Sequence, residues 1–104
     1  MFDFLKSMMG GGNNAAKVAL DNGAVIIDVR TPAEFSGGHV KGAINIPLSV
    51  VGQQVNKIKK YNKPVVTCCR SGARSGSAAS ILQGQGIEVI NGGSWQSVQA
   101  LLNE

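Results

Sequence analysis

Val65–Ser80 reads VVTCCRSGARSGSAAS. An apolar run of branched residues, VVTC, is followed by a short polar loop with glycine and two arginines. Small residues, Ala73, Ser77, Ala78 and Ala79, then continue toward Gly84 with helix-compatible composition. The pattern predicts a buried strand over Val65–Cys68, a tight loop from Cys69, and a helix ending near Gly84. A strand feeding a helix through a few residues is the unit from which parallel sheets are built.

Working outward, the same alternation recurs. Ala24–Val29 (AVIIDV) is a second apolar run and reads as a strand buried on both faces. Ahead of it, Ala15–Asn22 has helical composition with a stop at Gly23. After it, Thr31-Pro32-Ala33-Glu34 reads as a helix start, with Thr31 as N-cap, Pro32 first and Glu34 closing a capping box. Gly37-Gly38 ends that helix. Ala43–Ile46 is a short strand ended by Pro47, and Ser49 is expected to cap a helix over Val50–Lys60. Past Lys63-Pro64 and the central strand, Ile87–Ile90 reads as a fourth strand and Asn91-Gly92-Gly93 as a turn. Ser94 then caps a last helix to Leu102. The fold class is α/β: a central, mostly parallel sheet of four to five strands with helices on both faces. Residues 1–14, ending in MGGGNN, read as a flexible N-terminal arm, and 15–104 as one domain.

Composition narrows the function. The apolar fraction of 43% fits a folded globular chain of 104 residues. No apolar run approaches the roughly 18 residues of a membrane span. MFDFLKSMM has Asp3 and Lys6 within its apolar stretch and does not read as a secretory signal. Four lysines, Lys57, Lys59, Lys60 and Lys63, contribute to a net charge of +4. The chain has only five aromatics and a single one, Tyr61, falls among these lysines, so they read as a solvated helix face and not as a nucleic-acid platform.

The two cysteines are adjacent, which excludes a stabilising disulfide framework and points to a reducing, cytoplasmic setting. With the single His39 they are too few for a tetrahedral metal site. What remains is a buried pair of small hydrophobes or a reactive thiol, and the neighbouring arginines and glycine favour the reactive thiol at Cys69. Cys69 is expected at the carboxyl end of a parallel strand, where such sheets bind ligands, just before a helix N-terminus with unpartnered amides. Gly72 lets successive N–H groups converge on one point. With Arg70 and Arg74 added, a Cys69 thiolate open to solvent is expected, titrating below the ordinary value of about 8.5. Cys68, last in the apolar run, is expected to pack inside as a small hydrophobe.

Four pieces in order, DVRTPAEFSGGHVKGAINIP at Asp28–Pro47, the strand VVTC, the loop CRSGARS at Cys69–Ser75 and NGGSWQS at Asn91–Ser97, carry a resemblance. From about Ala15 to Leu102 the chain resembles a rhodanese domain, the sulfurtransferase module, whose fold is an α/β sandwich around a parallel sheet. The resemblance implies that Cys69 is the nucleophile. It would take the outer sulfur of a donor such as thiosulfate as a persulfide and pass it to cyanide, a thiol or a sulfur-accepting protein. The amides of Arg70, Ser71, Gly72, Ala73, Arg74 and Ser75 would hold that persulfide. Arg70 and Arg74 would bind the small anionic donor, and Arg30 would line the same site. The CRxGxR form in the family goes with thiosulfate-type donors. No cofactor or metal is implied, and the domain is expected to act as a monomer.

Other readings stand beside this one. Asp28 and Arg30 read as an ion pair tying a strand end to its loop, Glu34 as a capping-box partner only, His39 as a framework residue, and Trp95 as core or pocket wall. A carrier that holds a persulfide with little turnover shares the same intermediate. A cysteine phosphatase needs a longer C-x5-R loop and a general acid, whereas four residues separate Cys69 from Arg74 here. A redox role would require Cys68 and Cys69 together.

Overall fold

Branched residues build the sheet. The structure, a computed structural model, describes residues 12–104, so most of the expected arm over 1–14 lies outside the described residues. The strands are β1 (Val25–Asp28), β2 (Ile44–Asn45), β3 (Val65–Cys69) and β4 (Val89–Ser94), in the spatial order β2-β1-β3-β4. All three pairings are parallel, with Ile27 opposite Thr67 and Val66 opposite Ile90. The expected parallel α/β sheet is therefore present, with four strands among the described residues.

Because side chains alternate along a strand, the sheet buries two separate apolar faces. On one, Ile27, Val29, Val65 and Cys69 pack with Val51, Ile58, Ala78 and Leu82. These come from α3 (Leu48–Val51), α4 (Val55–Lys60) and α5 (Ala73–Gly84). On the other, Ile26, Val66 and Cys68 meet Ala15, Ala16 and Ala19 of α1 (Gly12–Asp21), and Val98 and Leu101 of α6 (Trp95–Leu102). The result is three layers. α2 (Pro32–Ser36) sits beyond the end of β1 with its full capping box, Thr31 Oγ1 accepting from the Glu34 amide and Glu34 accepting from the Thr31 amide.

Three local expectations are corrected. The helix expected over Val50–Lys60 begins at Leu48, without a side-chain cap, and is broken by a 3-10 turn at Gly52–Gln54. Pro47, with φ −55°, already sets the chain for a helical start, which leaves Ser49 no capping role. Asn91-Gly92-Gly93 belongs to β4 and is not a turn: Thr67 pairs with Asn91 but Cys69 with Ser94, so β4 carries one extra residue as a bulge. Gly92 leaves no room for a side chain unless its neighbours shift, since a Cβ there would lie 2.7 Å from Val66 Cγ1 and Val98 Cγ2. Finally, β3 runs one residue further than expected and takes in Cys69.

Candidate active site

The pleat of β3 sends its two cysteines in opposite directions. Cys68 joins the face covered by α1 and α6, where burial, followed by the nearby Asp28 carboxylate, pushes its thiol up to about 12. That is the inert, packed cysteine expected from its place in the apolar run. Cys69 points to the α5 face and is 1% exposed, so the expectation of a sulfur open to solvent is corrected. Its position inside the strand, rather than in the loop, is the cause. The sulfur nevertheless faces the curl that follows it.

That curl is made by Gly72, whose φ of +107° disfavours any residue with a Cβ. The turn carries the Gly72 N–H back onto Cys69 Sγ at 3.0 Å. Ser75, one helical turn into the loop's far side and fully buried, places its Oγ 3.3 Å from the same sulfur. Thr67 fixes Ser75 from the strand below, its Oγ1 donating to the Ser75 carbonyl at 3.0 Å. Burial alone would raise the Cys69 thiol. Hydrogen bonds from the Ser75 side chain and from the Ser75, Gly72 and Ser71 backbone outweigh it and bring the thiol below its ordinary value. Hydrogen bonds, more than the guanidinium groups, thus do the stabilising, with Arg74 adding a Coulombic attraction.

The arginines have separate fates. Arg74 is engaged by Glu34, Nη1 to Oε1 at 2.7 Å and Nη2 to Oε2 at 3.0 Å. Glu34 is therefore more than a capping-box partner. The Arg74 bonds, with those from Thr31, hold its carboxyl down to about 2. Arg30 is 5% exposed and clamps Asp28 through Nε and Nη2, the latter at 2.7 Å. It also donates to the carbonyls of Gly38 and Glu34 and lies 5.2 Å from the Trp95 ring centroid. The expected tie between strand end and loop is thus made by this pair. Arg70 is exposed, as are Ser71 and Ala73. His39 is a framework residue, stacked on Phe35 with Nδ1 2.7 Å from the Phe35 carbonyl.

Two shallow depressions flank the loop. One, of about 280 Å³, is lined by Arg70, Arg30, Glu34 and Trp95, which makes Trp95 a pocket wall. The other, of about 310 Å³, lies between Val29, Pro47, Leu48 and Arg74.

Sequence reading missed Asn91. Its side chain, carried by the β4 bulge, reaches the loop: Nδ2 donates to the Gly72 carbonyl at 3.0 Å, and Oδ1 accepts from Ser75 Oγ at 2.6 Å and from the Gly93 amide at 3.0 Å. Reading NGG as a turn hid a polar residue that the bulge aims at the neighbouring strand end.

With this geometry in view, the comparisons are decisive about family. Residues 6–100 match the rhodanese-like domain. The chain belongs to the rhodanese-like family. Over 67 residues the domain is 51% identical to the uncharacterized protein YqhL of Bacillus subtilis, covering 64% of this chain and 52% of that one. The chain thus spans about half the length of that relative. It is 38% identical over 74 residues to the thiosulfate sulfurtransferase PspE of Escherichia coli, covering 69% of this chain and 71% of PspE. Among solved structures, a rhodanese with anions from E. coli superposes with a TM-score of 0.65 at 37% identity. That superposition covers 71% of this chain and 89% of that one. Among the described residues, no helix of this rhodanese-like domain is long and apolar enough to cross a membrane.

Proposed function

We propose that this rhodanese-like domain is a thiosulfate-type sulfurtransferase working through a persulfide on Cys69. The Cys69 thiolate attacks the outer sulfur of thiosulfate, a new S–S bond forms, and the donor's own S–S bond breaks. Its electron pair leaves with sulfite. Cyanide or a thiolate then attacks the outer sulfur of the persulfide, and the Cys69 thiolate returns as leaving group. Sulfur travels on the protein, so the cycle balances without a cofactor.

The observation that carries this reading is the Gly72 N–H on Cys69 Sγ at 3.0 Å. The loop presents amides to one sulfur atom, and those donors favour the charged forms of the cycle, thiolate and persulfide alike. Arg70, exposed beside the Trp95 depression and in no ion pair among the described residues, is a cation placed to meet an anionic donor. Arg74 serves the donor less directly, because Glu34 already occupies it. Arg30, tied to Asp28, shapes that depression more than it binds. A reactive thiol kept reduced fits a reducing compartment such as the cytoplasm.

Steady-state transfer of sulfur from thiosulfate to cyanide tests the activity. Thiocyanate should form in the wild type, stop in Cys69→Ser, and require several-fold more thiosulfate in Arg70→Ala. Persulfide loading without thiocyanate would instead mark a carrier, and turnover that survives Cys69→Ser would end the proposal.

A further inference from the structure

The hydroxyl of Ser75 carries one proton, and three atoms stand within reach of it. Asn91 Oδ1 is 2.6 Å away, the Gly72 carbonyl oxygen 3.2 Å and Cys69 Sγ 3.3 Å. The backbone settles which end of the Asn91 amide faces Ser75. The Gly93 N–H can only donate, so it needs the amide oxygen; the Gly72 carbonyl can only accept, so it needs the amide nitrogen. The atom 2.6 Å from Ser75 is therefore an acceptor without a hydrogen, and the shortest contact takes the serine proton.

A neutral Cys69 suits this arrangement, since its S–H can donate to the lone pair that Ser75 leaves facing it. An ionised Cys69 does not. A negative sulfur would meet that lone pair unless the hydroxyl turned and donated to it, leaving Asn91 Oδ1 with the Gly93 amide alone. We propose that Asn91 is a positioning residue that competes with Cys69 for the single proton of Ser75, holding the hydroxyl in its resting direction and releasing it when the sulfur becomes charged. Gly76 provides the room: a Cβ there would come within 3.2 Å of Asn91 Nδ2. Thr67 holds the Ser75 backbone throughout, so the hydroxyl rotor is the part that moves.

The other charged and titratable groups around the sulfur are Arg74 of α5, paired with Glu34 of α2; Cys68 of β3; Asp28 of β1, paired with Arg30; and Arg70 in the loop. None of them touches the Asn91 side chain among the hydrogen bonds and ion pairs of the described residues, so substitution at 91 leaves them in place. The inference deepens the proposed function by taking Cys69 as its reacting sulfur, yet its test needs no sulfur donor.

The test is a pH titration of thiolate ultraviolet absorbance in the full chain, with the Cys69→Ser trace subtracted. In Asn91→Ala the Cys69 midpoint should fall by roughly half a unit to one unit, the scale of one neutral hydrogen bond. In a Ser75→Ala background, the same substitution should leave the midpoint where Ser75→Ala alone sets it. A rise or no change in Asn91→Ala, or an equal shift in both backgrounds, would overturn the proposal. If circular dichroism finds Asn91→Ala unfolded, Gly76→Ala, which crowds the amide aside, should lower the midpoint with the same dependence on Ser75. Loss of thiocyanate production with these shifts intact would count against the sulfur-transfer reading alone, and absent shifts with normal production against this one alone.

Discussion

Glu34 holds Arg74 by both prongs, Oε1 to Nη1 at 2.7 Å and Oε2 to Nη2 at 3.0 Å, and so joins the first helix beyond β1 to the first turn of α5. The pair is half-buried on both sides. One of the two loop arginines thus has its charge met within the protein, and the site is less cationic toward a donor than the count of arginines implies.

Releasing Arg74 should therefore strengthen capture of an anion. In Glu34→Gln the Michaelis constant for thiosulfate is expected to fall roughly two- to fivefold, the scale of a partly exposed ion pair, with kcat little changed. Steady-state kinetics at low and high salt check it, and the difference should shrink as salt screens the guanidinium. A rise in the constant would mean that Glu34 orients Arg74 for the donor instead of competing with it.

The same pair predicts how stability responds to acid. Glu34 titrates at about 2 in the fold, below the ordinary 4.5, so the folded state favours its ionised form. Its contribution is fully present above pH 4.5 and is lost as pH falls through about 2. The gap in melting temperature between wild type and Glu34→Gln should accordingly be open at neutral pH and close across that window. Thermal melts at several pH values measure it; a gap that persists at the acid end would contradict the assignment.

Gly92 supplies a prediction about the fold alone. An added Cβ would lie 2.7 Å from Val66 Cγ1 and Val98 Cγ2, and 2.9 Å from the Thr67 carbonyl oxygen. β3 is an inner strand, paired on both sides, and cannot give way cheaply, so Gly92→Ala is expected to cost about 1–3 kcal/mol by overpacking. Urea unfolding gives the number. The bulge also aims Asn91, so the thiol titration should move in the same variant.

Much of this architecture is written in local patterns. AVIIDV and VVTC, runs of branched residues too short for helices, become the paired strands β1 and β3, and Thr31-Pro32-Ala33-Glu34 forms its capping box as its chemistry dictates. Adjacent positions in one strand must face opposite ways, which separates Cys68 from Cys69. The features that escaped are those made between segments distant in sequence. Glu34 meets Arg74 across 40 positions, and Asn91 meets Ser75 across 16. Neither contact leaves a periodic trace. The burial of Cys69 escaped for a related reason: β3 continues to residue 69 because Ser94 is there to pair with it, and that partner arrives only through the β4 bulge.

Peptide hydrogens converging on residue 69, joined by the Ser75 hydroxyl as the sulfur ionises, make one sulfur easier to ionise while burial holds its neighbour protonated. Intact-protein mass spectrometry after brief exposure to thiosulfate addresses this most directly, applied to wild type, Cys68→Ser and Cys69→Ser. A gain of one sulfur atom in the first two and none in the third is the expected result. Sulfur on Cys68, or none on the wild type, would contradict it.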